Sequence, residues 1–144
     1  MKKLILIVIF SNIIFSVLAD NNSNELSIIK KNLIDITLNY TDYPASTISD
    51  FLPFFNLEKG CFDDLNYKDE TKSLWQPGLH WKRLTEMAVQ YRTKTSKFYN
   101  DATVKEKIIK GIDYWLENHT RPKNAWWELI GVPTEMVRVF ILLE

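Results

Sequence analysis

The sequence is poor in the residues on which many kinds of site depend. Its 144 residues include one cysteine, two histidines and four glycines. The lone Cys61 excludes an intrachain disulfide and a cysteine-based zinc site, and His80 and His119 alone are a weak basis for an imidazole-bound metal. With so few glycines and no repeat of roughly 20–50 residues, the chain is neither collagen-like nor a simple solenoid. The sequence therefore predicts no metal site and no cofactor.

An excess of charge of one sign is also lacking. Eighteen acidic residues balance eighteen basic ones, so the totals indicate neither a nucleic-acid-binding surface nor an acidic tail. The chain contains no G-x-S-x-G elbow, P-loop, H-E-x-x-H motif or glycine-rich dinucleotide turn. Hydrophobic residues make up 46% and aromatic residues 13% of it, too many for a disordered chain. These features predict one modest globular domain without a catalytic motif. The acidic pairs Asp63-Asp64 and Asp69-Glu70 are predicted to lie on solvated loops.

The first 19 residues have the pattern of a signal peptide. Two lysines follow the initiator methionine, an apolar stretch comes next, and small or branched side chains precede the expected cleavage point between Ala19 and Asp20. The apolar run of about 16 residues is shorter than the roughly 20 that a bilayer span needs; an uncleaved anchor is the alternative. We therefore expect a mature chain, 20–144, that is secreted or periplasmic and has no stable membrane span.

The spacing of apolar residues predicts four helices and no strand. The first ends at Pro44. The stretch 44–77 lacks a sustained helical period, so it is expected to be a long, packed, aromatic-rich connection with room for one short helical turn. Helical order returns over 80–99 and 103–119, and the last helix opens at Pro133. The stripe of the first helix consists of Leu26, Ile29, Leu33, Ile36 and Tyr40. The predicted fold class is all-α.

The later helices differ in how much of their surface is apolar. The last is apolar nearly all round over 137–143, so we expect it to need neighbours on more than one side and the fold to continue beyond Glu144. The faces predicted to be buried are Leu84, Met87, Ala88 and Tyr91 in the second helix and Val104, Ile108, Ile112 and Trp115 in the third.

One cluster has a composition typical of sugar binding. Trp126 and Trp127 follow Asn124 in a connecting segment, and their indoles offer flat apolar faces with N–H donors. Sugar rings stack their C–H faces on such surfaces. The stretch 82–110 carries eight basic and three acidic residues, an excess that favours an anionic polysaccharide. The alternatives are that the tryptophans fill the core and that the lysines are solvated helix faces.

An ordered set of short motifs resembles one enzyme family. It is similar to the N-terminal α-helical domain of the polysaccharide lyases that include chondroitin AC lyase, hyaluronate lyase and xanthan lyase, over roughly residues 23–144. The motifs are Trp75-x-Pro77-x-x-His80-Trp81-x-x-Leu84, Tyr91, Ser96-Lys97-Phe98-Tyr99, Tyr114-Trp115, and Asn124-Ala125-Trp126-Trp127 running to Ile130-Gly131-Val132-Pro133.

The resemblance implies both a fold and an activity. It implies the N-terminal part of an incomplete α/α toroid, which β-sandwich domains follow in the family. The family cleaves acidic polysaccharides by β-elimination at uronic acid residues, with an Asn, a His and a Tyr in later turns of the toroid. No catalytic residue is therefore expected in this chain, and residues 20–144 alone are expected to be inactive. Trp126, Trp127 and Asn124 are expected to bind substrate, an acidic, glycosaminoglycan-like polysaccharide.

Two other functions stay open. The chain is alternatively a free-standing, non-catalytic glycan-binding helical module, which keeps the tryptophan pair. The other alternative is an inactive gene remnant, whose product would aggregate through the apolar last helix. In the preferred interpretation the chain acts together with the missing C-terminal lyase domains.

Overall fold

The structure is a computed structural model that describes residues 24–39, 48–118 and 121–144. The chain divides into two compact units, Met1–Ile36 and Thr37–Glu144. The signal peptide and cleavage point predicted for residues 1–19 lie outside the described residues, as does His119. Within the described ranges, no helix is long and apolar enough to cross a membrane.

Helix α1 covers residues 24–38 and confirms the helix predicted from the first apolar stripe. Lys31 and Asp35 form an ion pair one turn apart on its surface, with 2.7 Å between Nζ and Oδ2. The stripe itself is exposed at Leu26, Ile29, Leu33 and Ile36. Tyr40, its predicted last member, lies outside the described residues.

The aromatic-rich connection contains several short elements, of which the sequence allowed for one helical turn. Helix α2 spans Ile48–Phe51, and a 3-10 turn spans Leu52–Phe54. A hairpin follows, in which β1 (Phe55–Asn56) pairs antiparallel with β2 (Cys61–Phe62), with Phe55 opposite Phe62 and Asn56 opposite Cys61. The prediction of no strand is therefore wrong at this point. Two residues per strand are too few to show an alternating pattern.

Three longer helices build the rest of the second unit. Helix α3 spans Gln76–Arg92, α4 spans Ala102–Asn118 and α5 spans Val132–Leu143, with a π-helical turn at Trp127–Gly131 before α5. These helices confirm the all-α class.

The predicted bounds of the second helix were wrong at both ends. Helix α3 starts earlier because Pro77 occupies its first turn, where a missing N–H costs nothing. It stops at Arg92 because residues 93–100 form turns instead, and Asn100 adopts a positive φ of 52°.

The core lies where α3 packs against both α4 and α5. Two predicted core positions, Tyr91 and Ile112, are only partly buried. In α5, one face is buried against α3, whereas Val137 and Phe140 stay exposed. The largest fully buried side chains include Trp75, Trp81, Phe62, Leu84, Met87, Ile108 and Leu142.

The buried face of α5 contains a carboxylate that apolar periodicity did not predict. Glu135 is 6% exposed and accepts a hydrogen bond of 2.8 Å from the hydroxyl of Thr85. Its other oxygen lies 3.0 Å from the Arg138 guanidinium. These partners compensate the burial of the charge.

Candidate functional site

The predicted tryptophan pair forms the most distinctive surface of the second unit. The rings of Trp126 and Trp127 meet edge to face, with 5.0 Å between their centroids and an interplanar angle of 81°. Their exposure differs sharply, because Trp126 is 51% exposed and Trp127 only 7%. The indole of Trp126 therefore faces solvent, while the buried indole of Trp127 packs against it from the core side.

Asn124 fixes the turn that carries these indoles. Its side-chain carbonyl accepts the backbone N–H of Trp126 at 2.9 Å, and its amide nitrogen donates to the carbonyl of Lys72 at 2.8 Å. The first bond shapes the start of the turn, and the second ties it to the segment before α3. Asn124 thus lies together with the tryptophans, as the sequence predicted. Among the described residues, only one of its two amide N–H groups donates to an acceptor, the Lys72 carbonyl.

Two glycines make room for the rings. A Cβ at Gly131 would stand 2.7 Å from ring atoms of both Trp126 and Trp127, and one at Gly78 would stand 2.7 Å from Cζ3 of Trp127. The Trp127 ring also lies 5.9 Å from that of Trp75, which is 1% exposed. Trp127 therefore belongs to the core as well as to the surface cluster.

The surroundings of the pair are apolar with a cationic rim. The Nζ atom of Lys82 lies 5.7 Å from the centroid of Trp127, within cation–π range. Lys123 pairs with Glu70. Sequence reasoning included Lys82 only in a general basic excess, because nothing local indicates that α3 brings it onto an indole. The exposed apolar residues on the segments that carry the cluster are Leu74, Leu79, Leu129 and Ile130.

The buried imidazole of His80 is part of a hydrogen-bonded chain through the core. Its Nε2 lies 3.0 Å from the carbonyl of Gly111 and its Nδ1 lies 2.8 Å from the hydroxyl of Tyr67. Since a carbonyl only accepts, Nε2 carries the hydrogen and Nδ1 accepts from Tyr67. The Tyr67 oxygen in turn accepts the backbone N–H of Phe62.

This buried chain is poorly suited to acid–base work on a substrate. Burial lowers the pKa of His80 to about 4 and raises the pKa of Tyr67. His80 is 0% exposed and both of its ring nitrogens are engaged, so it holds elements together as a neutral ring.

The adjacent carboxylates do not form an acid–base pair. Asp64 receives two bonds from the Arg83 guanidinium, at 2.6 and 2.7 Å, and these bonds lower its pKa. Asp63 turns to Asn56 and Lys59 instead, and bonds to them lower its pKa as well. Across the described ranges, no three His, Cys, Asp or Glu side chains are grouped so as to hold a metal ion.

Comparison with known proteins gives a consistent match. The profile of "Polysaccharide lyase family 8, N terminal alpha-helical domain" matches residues 18–144. Chondroitinase-AC of Pedobacter heparinus is 29% identical over 85 residues, which are 59% of this chain and 12% of that protein.

The fold is similar as well. A structure of chondroitinase AC lyase, from work on its oligosaccharide complexes, superposes with a TM-score of 0.65 over 78% of this chain and 17% of that one, at 23% identity. The chain thus spans less than a fifth of the length of either protein.

Proposed function

Since the chain belongs to polysaccharide lyase family 8 through its N-terminal α-helical domain, we propose that it supplies the aromatic sugar-binding surface of a secreted lyase. This lyase cleaves acidic polysaccharides of the chondroitin or hyaluronan type by β-elimination at uronic acid residues. The observation that carries the proposal is the 51% exposed indole of Trp126, held on a buried second indole next to a lysine.

The proposed binding mode uses each part of the cluster differently. A sugar ring stacks its C–H face on Trp126, while the indole N–H and the remaining amide N–H of Asn124 donate to hydroxyl oxygens. Trp127 supports the stacking surface from the core side. The ammonium group of Lys82 adds a positive potential, which favours a sugar that carries a carboxylate or sulfate.

The elimination step requires groups beyond this surface. A base removes the proton α to the uronate carboxylate, a donor neutralises that carboxylate, and an acid protonates the leaving oxygen. His80 and Tyr67 are hydrogen-bonded to each other in the core, so they are not available for these roles. We assign the step to later turns of the toroid, where the resemblance to the family implies the catalytic Asn, His and Tyr.

Oligosaccharide binding tests the proposal directly. The 144-residue chain and its Trp126→Ala variant are titrated with chondroitin sulfate and hyaluronan hexasaccharides by calorimetry. Loss of the stacking partner is expected to weaken binding roughly tenfold. Phe140→Ala, which removes another half-exposed aromatic ring, is the matched control and is expected to bind normally. Equal affinity for the Trp126→Ala variant and the unaltered chain would contradict the proposal.

A second experiment addresses catalysis by the chain alone. Elimination leaves an unsaturated uronate end that absorbs in the ultraviolet, and no such product is expected from this chain. Robust turnover of chondroitin sulfate or hyaluronan would show that catalytic residues are present here after all.

The free-standing glycan-binding module is the second candidate, because the described residues include the tryptophan pair, Asn124 and Lys82 together. It predicts the same binding without any dependence on lyase domains. The gene-remnant alternative predicts aggregation and no cooperative unfolding, so a monomeric chain with a single sharp urea transition would argue against it.

A further inference from the structure

A second concave site lies away from the tryptophans. It is a shallow, open cavity of about 420 Å³, bounded by α2 and the 3-10 turn after it, by the turn that follows α3 and by the first half of α4. The lining combines apolar surface, one hydroxyl and two ammonium groups, without a carboxylate. Its members are Ser49, Leu52, Pro53, Lys97, Phe98 and Lys107.

The two lysines of this cavity keep their charge available. The Nζ atom of Lys97 lies 4.9 Å from the ring centroid of Phe98, and that of Lys107 lies 5.2 Å from the centroid of Phe55. Neither ammonium pairs with a carboxylate in the described part of the chain, whereas Lys123 does pair with one, Glu70. An aromatic face attracts a cation without neutralising it, so the cavity stays positive.

The cavity and the tryptophans belong to opposite ends of α3. Trp127 packs on Gly78 in the first turn of the helix, whereas Lys97 and Phe98 follow its last residue, Arg92. Helix α3 has 17 residues, so its ends are about 25 Å apart. A single sugar residue therefore cannot contact both the cavity and the tryptophan pair.

We propose that this cavity is a second binding site for the acidic polysaccharide, occupied by a sugar residue that carries a carboxylate or sulfate group. The inference rests on the proposed function, which supplies the class of ligand. Phe98 and Leu52 offer apolar surface to the C–H face of the ring, and Ser49 offers its hydroxyl to a sugar hydroxyl. Lys97 and Lys107 bind the anionic group, and a chain long enough to reach both sites binds more tightly than a short one.

The test follows both sites in one titration. The ¹⁵N-labelled 144-residue chain is titrated with hyaluronan or chondroitin sulfate hexasaccharides, and the two arms separate a carboxylate from a sulfate contact. The reporters are the indole N–H of Trp126 for the first site and the amides of Ser49 and Phe98 for the second. Both sets of signals are expected to shift, and a neutral dextran oligosaccharide is expected to leave the second set in place.

Paired substitutions separate a specific contact from net charge. Lys97→Gln with Lys107→Gln is expected to weaken the binding seen at Ser49 and Phe98 roughly tenfold and to leave the Trp126 titration unchanged. The control, Lys68→Gln with Lys110→Gln, removes the same charge outside the lining and is expected to change neither titration.

The outcomes distinguish this site from the proposed function. If Trp126 responds while Ser49 and Phe98 stay silent, the second site is overturned and the tryptophan surface stands. The reverse result supports the second site and refutes the tryptophan surface. If the paired variant and its control lost the same affinity at Ser49 and Phe98, the binding would be a general effect of net charge, and the inference would be overturned.

Discussion

The ring of Trp127 lies directly on the backbone of Gly78. A Cβ at residue 78 would stand 2.7 Å from Cζ3 and 2.9 Å from Cη2 of that ring, closer than carbon atoms pack. The absence of a side chain at Gly78 is therefore what lets the indole reach the start of α3. Because Trp126 stands edge-on against Trp127, this contact also sets the position of the exposed indole.

Gly78→Ala is expected to destabilise the chain by about 1–3 kcal/mol through overpacking against a rigid ring. Urea unfolding followed by circular dichroism measures the change. Gly111→Ala is the matched control, because its Cβ would meet the terminal methyl groups of Leu84, which move more easily than an indole. A loss at Gly78 no larger than that at Gly111 would contradict the proposed packing.

Truncation of each tryptophan should separate stability from binding. Trp127→Ala removes a 7% exposed ring and is expected to cost about 3–5 kcal/mol in the free energy of unfolding. Trp126→Ala removes a half-exposed ring and is expected to cost less than about 1 kcal/mol. Denaturant titrations of both variants test this order. A Trp126→Ala chain as unstable as Trp127→Ala would show that both rings act in the core.

The two bonds of Asn124 can be tested one at a time. Asn124→Asp keeps the acceptor for the Trp126 N–H and loses the donor to the Lys72 carbonyl, whereas Asn124→Ala loses both. We expect the alanine variant to weaken the binding of a neutral dextran oligosaccharide more than the aspartate variant does, as measured by calorimetry. The neutral ligand is chosen so that the new charge of the aspartate has little effect. Equal weakening by the two variants would contradict this expectation, because it would mean that the bond to Lys72, which both variants lose, orients Trp126.

His80 should make stability depend on pH. Its pKa lies at about 4 in the folded chain, against about 6.5 when unfolded, so the unfolded state binds more protons between these values. The contribution of neutral His80 to the free energy of unfolding is therefore complete above pH 6.5 and is lost as the pH is lowered to about 4. The difference corresponds to about 3 kcal/mol in total.

Urea titrations across this pH range measure the slope. His80→Gln is expected to flatten it between about pH 5 and 7, since ordinary carboxylates titrate lower. His119→Gln, which removes the other imidazole, is the control and is expected to keep the slope. If the slope disappeared in His119→Gln instead, the effect would belong to His119 and the prediction for His80 would be wrong.

Much of the fold could be predicted from the sequence because the signals are local. The stripes of α1, α3 and α4 repeat over several turns, and the spacing of Leu84, Met87 and Ala88 alone indicates a buried face. The order of short motifs around Trp75, His80 and Trp126 was specific enough to predict the family that the comparisons confirm.

Other features depended on packing between distant segments. Trp126 and Trp127 are adjacent residues of one type, and only the approach of α3 makes one exposed and the other buried. The pairing of Phe55 with Phe62 is too short to leave a pattern, and Lys97 and Lys107 line the same cavity because the turn after α3 brings the chain back to α4. Sequence alone determined the existence and order of the longer helices and the family, since both are encoded in local spacing, but it did not determine the bounds of α3. The tertiary structure decided which aromatic and cationic groups share a surface, because burial depends on neighbours far along the chain.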